Sequence, residues 1–138
     1  MATNPARIAA LSFALLLGFA TTALADVGAT LRAYQSMTTR ATQVMAGMTD
    51  AQSAKAGAQQ LQAAMTQQRA AEAALHTELL KLNLNDTGNA QLMESTTAAM
   101  AKVNEPFSAQ QVRIQSNPAI NDVVGKVFVQ QHAPTKAN

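Results

Sequence analysis

The stretch 49–82 constrains the fold more than any other feature, because it is predicted to form one long amphipathic helix. Apolar or small side chains recur along it in steps of mostly three or four residues, at Ala54, Ala58, Leu61, Met65, Ala71, Leu75, Leu79 and Leu82. That spacing keeps side chains on one face of an α-helix, whereas a strand would place them on both faces. A helix of this kind is stable only when other helices cover its apolar stripe. The sequence therefore predicts an all-α bundle.

The residues before this helix predict its partner and the turn that joins them. A first helix over 26–48 has an apolar stripe at Val27, Leu31, Tyr34, Ala41, Met45 and Met48. Gly47 indicates a break, and the order Thr49-Asp50-Ala51-Gln52 matches a capping box in which Thr49 pairs with Gln52. A tight antiparallel hairpin is the simplest consequence. Between positions 67 and 74 the long helix offers only alanines as apolar residues, which favours a close helix crossing there.

A third helix is predicted over 90–115, with Asp86 or Thr87 available as its cap. Its stripe is Leu92, Ala99, Val103, Phe107 and Ile114, with Met93, Met100 and Val112 alongside. Pro106 lies within this segment. Because the apolar phase continues past it, we expect a kink rather than two helices.

A short fourth helix over 119–132 completes the prediction. Ser116-Asn117-Pro118 is a helix-start signal with proline at the first helical position. The helix would bury a set of apolar residues, namely Ile120, Val123, Val124, Val127 and Phe128. The run 123–129 is β-branched and favours a strand locally, but a lone strand in a helical chain would lack a partner.

Residues 1–25 have the pattern of a secretory signal peptide. Arg7 supplies a positive charge, an apolar run follows over 8–20, and Ala23-Leu24-Ala25 matches a signal-peptidase site. Cleavage would leave a bundle domain over 26–132 and a tail over 133–138, in the periplasm or outside the cell. An uncleaved membrane anchor is the alternative. The chain contains no Cys, so the exported domain needs no disulfide.

Charge excludes one class of partner. The chain has 10 Lys plus Arg against 8 Asp plus Glu, and removing the leader with Arg7 brings the two nearly into balance. No basic cluster is present, so we do not expect nucleic-acid binding. The predicted solvent faces carry mostly Gln, Thr, Ser and Asn, and such low charge density favours association with a protein partner or a second copy.

Two metal-binding interpretations of the histidines are possible. Di-metal helical bundles use Glu-x-x-His, in which a three-residue step brings both side chains to one metal. Glu72 and His76 are four residues apart, so a surface contact within the helix is the preferred interpretation. Met37 and His132 loosely resemble the axial ligands of four-helix b-type cytochromes, which is the only feature that favours haem.

Copper is the third metal interpretation. Met45 and Met48, with Met37 upstream, offer thioethers of the kind that suit Cu(I). The six methionines after the leader are spread along three predicted helices at or near stripe positions, and methionine commonly fills irregular gaps in a core. We therefore prefer core packing and assign no catalytic, cofactor or metal residue. With no Cys, no nucleophile elbow and no phosphate loop, the sequence predicts a protein that is not an enzyme.

One local resemblance supports the same class of protein. The run Met48-Thr49-Asp50-Ala51-Gln52-Ser53-Ala54-Lys55-Ala56, followed by Leu61, resembles small uncharacterised exported helical proteins of bacteria. In that pattern an Asp-x-x-Ser-Ala-x-x-Ala seam opens a long helix. Gly57 departs from it, since a better helix former usually stands there. The resemblance implies a bundle in the cell envelope and carries over no catalytic residue.

The overall expectation is an antiparallel bundle of three main helices plus a short C-terminal one. Its expected role is that of a non-enzymatic scaffold or protein-interaction module, with a homo-oligomer possible. The alternative is a bundle that binds a small ligand or a metal, haem or copper, in its interior. No stable membrane insertion is expected after signal cleavage.

Overall fold

The computed structural model describes the backbone of residues 5–129 and the side chains of residues 26–129, and over this range it is all-α. The four helices are α1 (Pro5–Ala46), α2 (Ala51–Leu80), α3 (Thr87–Gln115) and α4 (Pro118–Val129). The prediction of a helical bundle is confirmed. The side chains of the predicted leader, His132 and the predicted tail lie outside the described residues.

The turn between α1 and α2 falls where Gly47 predicted it, but the cap differs from the prediction. Asp50, rather than Thr49, is the N-cap of α2. Its Oδ1 accepts a hydrogen bond from the Ser53 backbone N–H at 2.8 Å, and Ser53 Oγ accepts one from the Asp50 N–H at 3.0 Å. The predicted box with Gln52 is therefore wrong by one residue, because Asp is the better N-cap.

The same contacts affect the charge of the cap. The hydrogen bonds from the Ser53 backbone and side chain hold the pKa of Asp50 below its usual value. Because the pKa is lowered in the folded state, the charged cap stabilises the fold at neutral pH. That contribution is lost only as the pH falls through the lowered pKa.

Helices α3 and α4 follow the predictions with small differences. Asp86 caps α3 by accepting a hydrogen bond from the Asn89 N–H at 3.0 Å, and Pro106 lies inside α3 without splitting it. Val112, expected beside the stripe, is 61 % exposed. Residues 123–129 are helical despite their β-branched composition. They pack against the core of a bundle that offers no strand partner among the described residues.

The core consists of two clusters that differ in how well they are covered. The first contains twelve buried residues, drawn from all four helices, with four partly buried residues against it. The second contains only four buried residues, Val27, Tyr34, Leu75 and Leu79, with seven partly buried ones against it. No residue of α4 belongs to the second cluster. The part of the bundle that α4 does not reach is therefore the more open one.

The helix contacts explain this difference. Helix α1 packs against α2 and α3, and α4 also packs against α2 and α3, whereas α2 and α3 scarcely touch each other. At 1.5 Å per residue, α2 is about 45 Å long and α4 about 18 Å. Helix α4 therefore covers less than half of the space between α2 and α3.

Arg113 on α3 ties this arrangement to the turn between α1 and α2. Its Nη2 donates to the Met45 carbonyl at 2.6 Å and its Nη1 to the Met48 carbonyl at 2.9 Å. Gln110 holds the guanidinium by accepting from Nε at 2.7 Å. A cation is thus placed at the carboxyl end of α1, where the helix dipole favours it.

Gly57 is the departure from the envelope-protein pattern, and the structure gives it a specific neighbour. A Cβ at this position would lie 2.9 Å from the terminal methyl of Met48. Met48 and Gly57 both line an open cleft of about 590 Å³, beside Arg40 and Gln60. The methyl, at the far end of a flexible side chain, therefore has space into which it can move.

We accordingly expect Gly57→Ala to stabilise the protein. Alanine in a helix interior is favoured over glycine by about 1 kcal/mol, and the displaced Met48 methyl recovers part of its contacts in the cleft. Chemical denaturation should show an increase of roughly 0.5–1 kcal/mol in the free energy of unfolding. Gly57→Leu is the control, since its larger side chain should cancel the gain. A loss of stability in Gly57→Ala would mean that Met48 cannot shift.

Candidate functional site

An apolar groove between α2 and α3 is the candidate interaction site. This α2–α3 groove has a volume of about 470 Å³. Its lining residues are His76, Leu79, Leu80, Met93, Thr97, Met100, Ala101 and Asn104. Leu80 is 86 % exposed at its edge, and Leu84, in the turn that follows, is 56 % exposed. Large apolar residues that are exposed next to a concave surface commonly mark an interaction site.

The groove continues the space that α4 occupies elsewhere in the bundle. Helix α4 packs against α2 and α3 and inserts Ile120, Val124 and Phe128 into the first cluster. Beyond the reach of α4, the partly buried residues Met93 and Met100 flank the second cluster. The groove thus presents α2 and α3 side chains that no described helix covers.

The lining of the groove also contains no Asp, Glu, Lys or Arg. Leu79, Leu80, Met93 and Met100 provide the apolar area. A charged partner would lose its hydration here without gaining an opposite charge. The groove therefore fits an apolar surface.

A second, polar cavity adjoins the groove and shares Asn104 with it. This polar cleft has a volume of about 370 Å³. Its lining residues are Tyr34, Gln68, Arg69, Glu72, Asn104, Phe107 and Ser108. Helices α1, α2 and α3 all contribute to it. The two cavities therefore lie next to each other, with Asn104 between the apolar groove and the polar cleft.

Buried hydrogen-bonding groups give the polar cleft its character. The Tyr34 hydroxyl, on a fully buried side chain, donates to Asn104 Oδ1 at 2.6 Å. Gln68, another lining residue, is only 6 % exposed. Polar side chains that are this buried usually have a hydrogen-bond partner. One turn beyond Tyr34, the buried Thr38 hydroxyl has no hydrogen-bond partner among residues 26–129. The middle of the bundle therefore contains a polar layer rather than a continuous apolar core.

The structure separates the residues of the metal interpretations. Glu72 is half-buried and lines the polar cleft, whereas His76 is exposed and lines the groove. Met45 and Met48 are buried in the first cluster, and Met37, half-buried, belongs to neither cluster. His132, the proposed haem ligand, lies outside the described residues. Within residues 26–129 no group of three or more His, Cys, Asp or Glu is placed to hold a metal ion.

Sequence patterns did not reveal the polar layer. The alanine-rich segment 67–74 favours a close crossing, yet Ala70, Ala73 and Ala74 are exposed and only Ala71 packs on the second cluster. Gln68 occupies the buried position instead. One signal in the sequence could have predicted its burial. Gln68 lies three residues after Met65 and four before Glu72, in phase with the apolar stripe.

Comparisons with known proteins gave no match: no family model, no curated protein and no solved structure resembles this chain significantly. Among the described helices, none is long and apolar enough to cross a bilayer. The function must therefore be inferred from the groove and the cleft themselves.

Proposed function

We propose that this protein is an exported, non-enzymatic helical module whose α2–α3 groove binds an amphipathic helix of a partner protein. The observation that carries the proposal is the second cluster, which is less fully covered than the first, with Leu80 at 86 % exposure beside a concave surface that no Asp, Glu, Lys or Arg lines. Helix-in-groove recognition uses this combination of a long apolar groove and an amphipathic helix. The proposal includes export, which rests on the signal-peptide pattern of residues 1–25.

The proposed arrangement is an antiparallel bundle in which each long helix reverses the direction of the one before it. The short turns at 47–50 and 81–86 favour this arrangement. In it, α4 begins near the start of α2 and runs toward the polar cleft. The remaining space beside α2 is then roughly 27 Å long, enough for a partner helix of about 18 residues.

Helix α4 indicates the chemistry of the occupant. It fills its own part of the space between α2 and α3 with apolar side chains at i, i+4 and i+8, namely Ile120, Val124 and Phe128. A partner helix that continues this packing needs a similar apolar stripe without charges. The residues at 130–138 supply no such stripe, since they contain no Leu, Ile, Val, Met or Phe. Pro134 would also interrupt a helix formed there.

A peptide-binding experiment tests this proposal. The probe is a fluorescent helical peptide of about 18 residues with one leucine stripe, titrated with the protein in a fluorescence anisotropy assay. Ala101→Lys puts a long charged side chain into the groove, and Ala109→Lys makes the same change at an exposed site of α3 outside it. Because both alanines are exposed, neither change should disturb the core.

We expect the unmodified protein and Ala109→Lys to bind the peptide equally, and Ala101→Lys to bind at least about tenfold more weakly, a loss of about 1.4 kcal/mol. No saturable binding, or equal binding by the two variants, would contradict the proposal. If a chain lacking residues 130–138 binds far more tightly, that segment is the occupant. If dilution of a self-associated protein exposes the site, a second copy is the occupant.

A further inference from the structure

The polar cleft and the α2–α3 groove are neighbouring cavities with different chemistry. The position of the cleft next to the groove is fixed by Asn104, which lines both cavities. A helix long enough to fill the groove extends to Asn104 and covers the mouth of the cleft. The side chain that such a helix places there meets polar groups instead of leucines and methionines.

Two carboxamides determine what that side chain meets. Because Asn104 Oδ1 accepts the Tyr34 hydroxyl hydrogen bond, the NH₂ group of Asn104 is left to donate elsewhere. Among residues 26–129, the structure shows one side-chain hydrogen bond at Asn104, the one from Tyr34, and none at Gln68, and both residues line the cleft. Arg69 and Glu72, which also line the cleft, carry opposite formal charges. The Asn104 and Gln68 amides thus offer donors and acceptors within a lining that has no net formal charge.

From this geometry we infer that the partner helix carries a carboxamide, Asn or Gln, at the end that reaches the polar cleft. This inference rests on the proposed helix-binding function. A carboxamide can accept from the Asn104 NH₂ group and also exchange hydrogen bonds with Gln68. An apolar residue would cover both amides without satisfying them, and sites built to hydrogen-bond a ligand reject analogues that lack the bonding group.

Three peptides test the inference. All carry the leucine stripe used above; one has only leucines, and the other two replace the leucine at either the amino-terminal or the carboxyl-terminal end with glutamine. We expect one of the two glutamine peptides to bind roughly ten- to a hundredfold more tightly than the all-leucine peptide. The tighter of the two also reports the direction in which the helix lies.

Variants of the cleft provide the control. Asn104→Leu should abolish the preference for glutamine while leaving the all-leucine peptide bound, and Gln68→Leu serves the same purpose if Asn104→Leu does not fold. If the all-leucine peptide binds as tightly as both glutamine peptides, the inference is overturned and helix binding stands. If no peptide binds, the proposed function fails and the inference fails with it.

Discussion

Arg113→Met is expected to lower the free energy of unfolding by about 2 kcal/mol, because it removes two charge-assisted hydrogen bonds to the end of α1. Methionine keeps most of the aliphatic stem, so the loss reports the guanidinium rather than packing. The two hydrogen bonds that are lost run from the guanidinium to the Met45 and Met48 carbonyls, at 2.6 and 2.9 Å. Urea denaturation followed by far-UV circular dichroism measures the change.

Two further variants isolate the cause. Arg113→Lys keeps the positive charge near the helix end but loses the planar fork, so we expect an intermediate loss of about 1 kcal/mol. Lys102→Met removes an exposed cation from the same helix and should change stability by less than about 0.5 kcal/mol. If Arg113→Met were as stable as Lys102→Met, the link between α3 and the α1–α2 turn would contribute nothing to the fold.

Phe128→Ala is expected to lower the free energy of unfolding by about 3 kcal/mol. Phe128 is 3 % exposed in the last described turn of α4 and belongs to the first cluster. Its truncation removes an aromatic ring from that cluster, and Phe→Ala changes in cores cost about 3–5 kcal/mol. The expected loss lies at the lower end of this range because the ring lies near a helix end, where neighbouring groups can relax.

The adjacent residue is a matched control for Phe128. Val129 is 72 % exposed, so Val129→Ala should change the free energy of unfolding by less than about 0.5 kcal/mol. Thermal unfolding of both variants under identical conditions gives the comparison. Equal, small effects at the two positions would show that α4 does not pack on the first cluster through Phe128.

Periodicity predicted the helices and most of the core. The predicted stripes of α1 and α2 contain most of the residues that are buried, including Tyr34, Met45, Leu61 and Leu75, but they miss Thr38, Ala64 and Gln68. Such predictions succeed because a 3.6-residue repeat reports directly which face a helix buries. The break at Gly47 was predicted for a similar reason, and Asp86 is one of the two predicted caps of α3, since both features follow from local backbone chemistry.

Features that depend on tertiary contacts could not be predicted in this way. The hydrogen bonds from Arg113 span 65 residues in sequence to Met48 and 68 to Met45, and the Tyr34–Asn104 hydrogen bond spans 70. No local pattern marks such pairs. The groove also escaped prediction, because it arises from the short reach of α4 along α2 and α3. Intrinsic β-propensity likewise gave the wrong local preference for 123–129, where packing decides the conformation.

Methionine methyl groups provide the most direct test of the claim that the α2–α3 groove receives a partner helix. Met93 and Met100 line the groove, whereas Met45 and Met65 are 0 % and 1 % exposed in the first cluster. In NMR spectra of protein labelled with ¹³C at its methionine methyls, the leucine-stripe peptide should shift the Met93 and Met100 signals and leave those of Met45 and Met65 in place. Shifts confined to Met45 and Met65, or no shift at saturating peptide, would contradict the account.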